Sequence, residues 1–275
     1  MGTVISLLNM KGGVGKTSTC YHLAGTLARS GLSVLLLDND PQASLTNGFW
    51  GPEALRALDP AESIAALYDP RLGAIPEALV RPTGLDGVAI VPGSEALTSY
   101  NITPTAEWGG SERGIAEFLV EVRDAFDLVL IDCPPNLYLC SWAALVASDH
   151  IVVPVMCEDF GSQGLAPVER SIRAVRSGPN PSLNLLGYLL TMYDRRLTVH
   201  LTYEAVLREM YGDLVFAAPF PRAKDYIEAV AGRRPISHYK PKSAAAKSAK
   251  VVADELVARL VAAQDAGARA ERGAA

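Results

Sequence analysis

Asn9-Met10-Lys11-Gly12-Gly13-Val14-Gly15-Lys16-Thr17 decides how this chain folds. An apolar run over 4–8 leads into it and a helix-like run follows, so the stretch joins a strand to a helix. Gly12, Gly13 and Gly15 let successive backbone N–H groups turn inward on an anion, where a Cβ would obstruct them. Lys16 is placed to reach β- and γ-phosphates and Thr17 to offer a hydroxyl to Mg²⁺, while the helix that continues through Ser18 points its N-terminal amides at the same charge.

A strict G-x-x-x-x-G-K-S/T loop needs glycine at position 10, where Met10 stands, and a second lysine, Lys11, precedes the glycines. Lys-Gly-Gly-Val-Gly-Lys-Thr resembles the deviant Walker A motif of the ParA/MinD family of P-loop ATPases. The resemblance implies that Lys11, Gly12, Gly13, Val14, Gly15, Lys16, Thr17 and Ser18 hold ATP. It also implies that Lys11 reaches across a dimer interface to the partner's nucleotide, sharing the catalytic work with Lys16. A glycine-rich turn with ordinary surface lysines is the plain alternative.

The 275 residues are 49% hydrophobic, enough to bury a full core in one domain spanning 1–275. No apolar run reaches the ~18 residues a membrane span needs, and the N-terminus has no signal-like core, which makes a cytoplasmic protein the default. Met1-Gly2-Thr3-Val4-Ile5-Ser6 satisfies the myristoylation pattern, but these residues run straight into the first strand, which cannot double as a lipidated tail. Cys20, Cys133, Cys140 and Cys157 form no C-x-x-C pair and lie in apolar stretches, as buried thiols do. The net charge of −5 is unevenly spread. Between Arg222 and Lys250 eight basic residues face two acidic ones, a segment of +6 that leaves −11 on the remainder. Such a segment is either a solvated face or a phosphate-binding surface.

Short β-branched runs alternate with helical spacing almost throughout, which predicts an α/β fold with a mostly parallel sheet and helices on both faces. Strands are expected at 3–8, 33–37, 88–91, 128–131, 151–155, 185–191 and, briefly, 214–216. Helices are expected at 17–30, 111–125 with Ser111 as cap, 137–147, 164–176, 201–211 and about 243–267, with a frayed tail at 268–275. Prolines at 52, 60, 70 and 76 break 49–82 into short surface helices.

Leu37-Asp38-Asn39-Asp40-Pro41-Gln42 puts two carboxylates at the carboxyl end of a strand, the edge where open α/β sheets bind ligands. If strand geometry persisted, Asp38 and Asp40 would face the same side. The motif resembles the family's D-x-D-P-Q, which implies that Asp38 supports Mg²⁺ and Asp40 orients the attacking water. Leu128-Val129-Leu130-Ile131-Asp132 ends four apolar residues on an acid, a Walker B signature, so Asp132 is the third candidate around Mg²⁺, acting through water. The run from Pro154 to Leu165 also resembles a family segment. Within it Glu158 is a candidate for ribose or the dimer partner, or a solvated loop acid.

Thr191-Met192-Tyr193-Asp194 and Pro219-Phe220-Pro221-Arg222 resemble the family's adenine-flanking segments, which implies that Met192, Phe220, Pro221 and Arg222 surround the base. Members commonly follow Pro-Arg with Asn, where Ala223 stands here. The likeness covers nearly the whole chain and matches the short, Soj-like branch that begins on strand one. It implies a cycle in which ATP closes a homodimer, the dimer binds double-stranded DNA without sequence preference, and a ParB-like or other cargo adaptor triggers hydrolysis. Such a protein is nucleoid-associated and slow to hydrolyse ATP alone. By the same likeness Arg196 and Arg222 contact DNA phosphates, with Lys242 and Lys247 added by the basic segment. A MinD-like membrane regulator would need an amphipathic tail. Val251, Val252, Leu256, Leu260 and Val261 form an apolar stripe there, but acids interrupt it and core packing explains it better. A metabolic P-loop ATPase is the third class.

Overall fold

The computed structural model describes residues 1–102, 108–157 and 165–274. Seven strands form one sheet: β1 (Thr3–Leu7), β2 (Val34–Asp38), β3 (Arg81–Leu85), β4 (Val88–Val91), β5 (Leu128–Asp132), β6 (His150–Met156) and β7 (Asn184–Thr191). Their order is β3-β4-β2-β5-β1-β6-β7, and every neighbour pair is parallel except β3 with β4. The helices are α1 (Lys16–Arg29), α2 (Ser44–Trp50), α3 (Pro52–Arg56), α4 (Pro76–Leu79), α5 (Leu97–Asn101), α6 (Gly114–Val122), α7 (Leu139–Ala147), α8 (Leu165–Arg176), α9 (Thr198–Tyr211), α10 (Lys224–Ala231), α11 (Ile236–Tyr239) and α12 (Ala244–Ala274).

Strands buried on both faces need apolar side chains at every position, and β2 has them. Leu35 and Leu37 join the core under α6, α7 and α8, whereas Val34 and Leu36 join the opposite core under α1 and α12. β5 divides the same way, with Val129 and Ile131 on one side and Leu128 and Leu130 on the other. Helices therefore cover both faces, as the alternation predicts. All four cysteines are buried thiols outside any disulfide, and Gly2 packs so tightly that a Cβ would meet the carbonyls of Arg123 and Phe126 at 2.5 Å.

Five local expectations are corrected. Residues 214–216 form no strand: a 3-10 turn at Gly212–Leu214 leaves one bridge, Tyr188 to Val215, because a segment so short lacks the ladder of bonds a strand requires. β3 was not expected, since Pro82 and Gly84 weaken it as a strand; it survives as the antiparallel edge, where proline is tolerated. Ser111 does not cap a helix, for its hydroxyl donates to the Tyr68 carbonyl and the α-helix begins later, at Gly114. α10 and α11 break up a segment that drew notice only for its charge. The last helix continues to Ala274 through the stretch expected to fray, as its alanine, arginine and glutamate content favours.

α1 and α12 pack against each other on one face of the sheet, and His22 of α1 is 1% exposed there. Its Nδ1 accepts the Ile236 N–H at 3.1 Å, its ring lies 4.8 Å from that of Tyr226, and Nε2 has no partner. Burial drops its pKa from 6.5 to about 3. The unfolded chain thus binds a proton that the folded chain refuses, so stability is complete above the unfolded pKa and falls as pH drops below it. Between pH 7 and pH 5 this group alone is expected to remove about 2 kcal/mol. In His22→Asn, whose amide oxygen can still accept the Ile236 N–H, urea unfolding at the two pH values should show that much less pH dependence. Equal slopes in the two proteins would rule His22 out as the cause.

Candidate functional site

The loop after β1 is held from both ends. Asn9 donates its amide to the Pro154 carbonyl at 2.7 Å and accepts the Lys11 N–H at 3.0 Å. Gly13 and Gly15 sit at φ 75° and 83°, left-handed values that glycine alone adopts without cost, so the backbone can curl before α1 begins. The Lys16 ammonium, almost wholly buried, donates to the carbonyls of Asn9 and Lys11 at 3.0 and 3.1 Å. Burial lowers its pKa and the charge of Asp132 pulls it partway back. Gly12 and Gly13 stay exposed around it, Val14 is buried, and Thr17 and Ser18 are half-buried. Lys11 is exposed, and its backbone N–H and carbonyl take part in the loop.

Parallel pairing of β2 with β5 places Asp38 and Asp132 opposite one another in register, both at 0% exposure. Asp38 Oδ2 accepts both the backbone N–H and the hydroxyl of Thr46 at 2.7 Å, and that hydroxyl in turn accepts the Gly93 N–H at 2.8 Å. Asp38 Oδ1 and both oxygens of Asp132 have no hydrogen-bond partner. Burial pushes both carboxyls above the carboxylate range; the Asp38 charge raises Asp132 further, while Thr17 and Lys16 moderate it. Buried carboxylate oxygens that lack donors fit a hard divalent cation, which would keep both ionised. Asp38, Asp132 and the Thr17 hydroxyl are the residues that could hold one.

Asp40 is placed differently. β2 ends at Asp38, so the two aspartates do not continue one strand face; the chain turns, and Asp40 accepts the Gln42 N–H on its carboxylate at 2.9 Å and the Ala43 N–H on its carbonyl at 2.8 Å. Pro41 is the cause, since it cannot donate to a ladder. Asp40 is half-buried beside the cradle rather than sealed beneath it.

At the end of β7, Thr191 donates its hydroxyl to the Val14 carbonyl at 2.7 Å, tying that strand to the loop. Met192 follows at φ 51°. A cavity of 660 Å³ opens here, lined by Gly15, Ser18, Met192, Phe220, Pro221 and Arg222 among others. The four residues expected around a base are therefore together, though Phe220 is also a core residue, 5% exposed. Sequence reasoning missed the other wall, Tyr226, Ile227, Val230 and Ala231 of α10. Their i, i+4 spacing directly after Pro221-Arg222 was the available signal. It also missed Thr46 and Gly93, for which no local pattern exists.

Arg196, Arg222 and Lys247, joined by Arg195, line a second groove of 930 Å³. Asp194 and Glu204 line it too, and Asp194 holds Arg196 through two bonds of 2.9 and 2.8 Å. Lys242 is not among its residues and lies with Lys240 in a shallow depression. Lys240 is engaged by Asp225 and Glu228. Glu158 falls outside the described residues.

The AAA domain family matches residues 2–185 of the chain. The chain is 38% identical to the chromosome-partitioning ATPase Soj of Thermus thermophilus, covering 93% of this chain and 96% of that one. It is 34% identical to the chromosome partitioning protein ParA of Caulobacter vibrioides, covering 93% and 94%. Among solved structures, the cobyrinic acid a,c-diamide synthase of Mycobacterium smegmatis with bound ADP and magnesium superimposes with a TM-score of 0.75 at 29% identity, covering 94% of each chain.

Gly93 leaves no room beside Asp38: a Cβ there would lie 2.7 Å from Asp38 Cγ and 2.8 Å from Oδ2. Gly93→Ala must displace Asp38 or break its bonds to Thr46, with an expected loss of about 1–3 kcal/mol in urea unfolding. A change within ~0.5 kcal/mol, the range of ordinary surface substitutions, would mean that the strand ends yield more easily than this packing implies.

Proposed function

This chain belongs to the ParA/Soj family of deviant Walker A ATPases, and from that membership we propose that it works as an ATP-driven dimerisation switch on DNA. Its cofactors are ATP and Mg²⁺. The observation that carries the reading is the pair Asp38 and Asp132, buried in register with three unpartnered oxygens beside Lys16.

Phosphoryl transfer asks a protein chiefly for positioning and charge. The glycine-rich backbone between Lys11 and Lys16 presents its N–H groups to the phosphates, and Lys16, already stripped of water, offers its ammonium to the β- and γ-oxygens. Asp38, Asp132 and Thr17 would hold Mg²⁺. The cation they hold would supply positive charge against that of the phosphates. Asp40, at the rim of the sealed site, accepts from the attacking water and orients it. The exposed Lys11 acts on the partner's nucleotide in a homodimer, which makes hydrolysis conditional on dimerisation. Met192, Phe220, Pro221 and Arg222 enclose the base against α10, with hydrophobic contact in place of the missing asparagine at Ala223.

Arg195, Arg196, Arg222 and Lys247 give the second groove a positive excess over Asp194 and Glu204, which supports contact with the phosphates of double-stranded DNA. Lys242 extends that surface. The cargo adaptor, ParB-like or another, binds the closed dimer and raises a slow basal rate. In α12 the stripe residues Val252, Leu256 and Leu260 are core, so the apolar face is occupied by packing, and only Val251 and Val261 are exposed. Among the described residues no helix is long and apolar enough to cross a membrane. A small-molecule ligase is the second reading, favoured by the likeness to the synthase.

Binding to a random-sequence duplex, measured with ATP, ADP or no nucleotide at two salt concentrations, separates these readings. Expected is ATP-dependent binding that weakens steeply with salt and is lost in Lys11→Ala. Lys247→Ala should weaken it equally on all sequences, lowering the log–log salt slope by about 1. ATP hydrolysis without duplex binding in any nucleotide state would overturn the DNA switch in favour of the ligase, and fast unstimulated hydrolysis would contradict a rate controlled by a partner.

A further inference from the structure

Between the two aspartates of the β2 end lies Asn39, at 0% exposure. Its backbone N–H donates to the Asp132 carbonyl at 3.0 Å, its Nδ2 to the Cys140 carbonyl of α7 at 2.8 Å, and its Oδ1 accepts the hydroxyl of Tyr68 at 2.7 Å. Tyr68 is itself 2% exposed and follows the short 3-10 turn Ile64–Leu67, far along the chain from the loop it touches. Its ring stacks on Tyr100 at 6.2 Å, and the Tyr100 hydroxyl donates to Asp69 at 2.8 Å. A buried asparagine with backbone and side chain both engaged is costly to place, and each bond here joins the loop to a different element: β5, α7 and the segment before α4.

The position of this clamp is what gives it meaning. One residue earlier the chain is an ordered parallel strand; one residue later Asp40 leaves the sheet in a turn, with its own bonds to Gln42 and Ala43 and its backbone N–H on the Asp38 carboxylate. We propose that Asn39 and Tyr68 are positioning residues for hydrolysis, setting the direction in which Asp40 presents its carboxylate. This rests on Asp40 acting on the attacking water as proposed above. Neither residue touches the phosphates: the Tyr68 hydroxyl acts on Asn39, Asn39 anchors the strand end, and Asp40 follows from that anchor. Errors of ~1 Å in such placement are enough to slow a reaction by up to about 100-fold, so one hydrogen bond at the pivot matters.

Tyr68→Phe removes only the hydroxyl and leaves Asn39 Oδ1 buried without its donor. In the full-length protein, kcat is expected to fall about tenfold while KM and the affinity for a fluorescent ATP analogue stay within about twofold. Hydrogen exchange at the Asn39 amide should quicken about tenfold, a readout independent of turnover. Because an orphaned acceptor also costs stability, the double variant Asn39→Leu/Tyr68→Phe, which removes both members of the bond, should melt closer to wild type yet keep the slow kcat. Unchanged kcat in folded Tyr68→Phe, or full recovery of kcat in the double variant, would overturn the positioning role. Asp40→Asn is the control for the premise: if it hydrolyses normally, Asp40 has no role for Tyr68 to support and both ideas fall. If it is inactive while Tyr68→Phe is normal, only the positioning role does.

Discussion

Two carboxylates are buried side by side because β2 pairs with β5 in a register that sets Asp38 against Asp132. Neither is exposed, and together they leave three oxygens unpartnered. Desolvation and mutual repulsion make that arrangement unfavourable on its own. Around it the molecule supplies compensation: two donors to Asp38 from Thr46, and the charge of the buried Lys16 ammonium on Asp132. The compensation is incomplete. Buried carboxylate oxygens without donors are matched by a hard divalent cation, which would offset their mutual repulsion.

The elements around that pair divide the labour. Lys16 is held by carbonyls of its own loop, so its position is set before any anion arrives. Thr191 joins the loop to the end of β7, which brings Met192 and, through the parallel bridge of Tyr193 with Pro221, the Phe220 segment to the same edge. α10 closes the cavity from the other side. The glycine-rich loop and the cavity beside it are thus coupled by hydrogen bonds rather than merely adjacent. The basic groove lies beyond Arg222, which lines both cavities and is the one candidate shared between nucleotide and DNA.

Much of the site could be read directly from the sequence. The glycine pattern named Gly13 and Gly15, and both adopt the left-handed backbone that pattern requires. Apolar runs ending in an acid named Asp38 and Asp132, because a fully buried parallel strand has a compositional signature. Elsewhere the signature was weak or misleading. Pro82 and Gly84 disguised an edge strand, Ser111 had the chemistry of a cap but spent its hydroxyl on Tyr68, and charge drew attention to 222–250 while the apolar wall of α10 within it passed unnoticed. The stripe on α12 divides into buried and exposed members only once α1 is packed beside it.

The sequence by itself determined the glycine-rich strand–loop–helix, the alternation that makes a parallel sheet, and the acids at the strand ends. Each depends on backbone preference and burial period within a few neighbouring residues. Only the tertiary structure decided that Asp38 faces Asp132, that Thr46 and Gly93 brace Asp38, that Tyr68 secures Asn39, and that Arg196, Arg222 and Lys247 share a groove. Those meetings depend on strand order and register, which are fixed when the whole chain packs and which no short stretch of residues encodes.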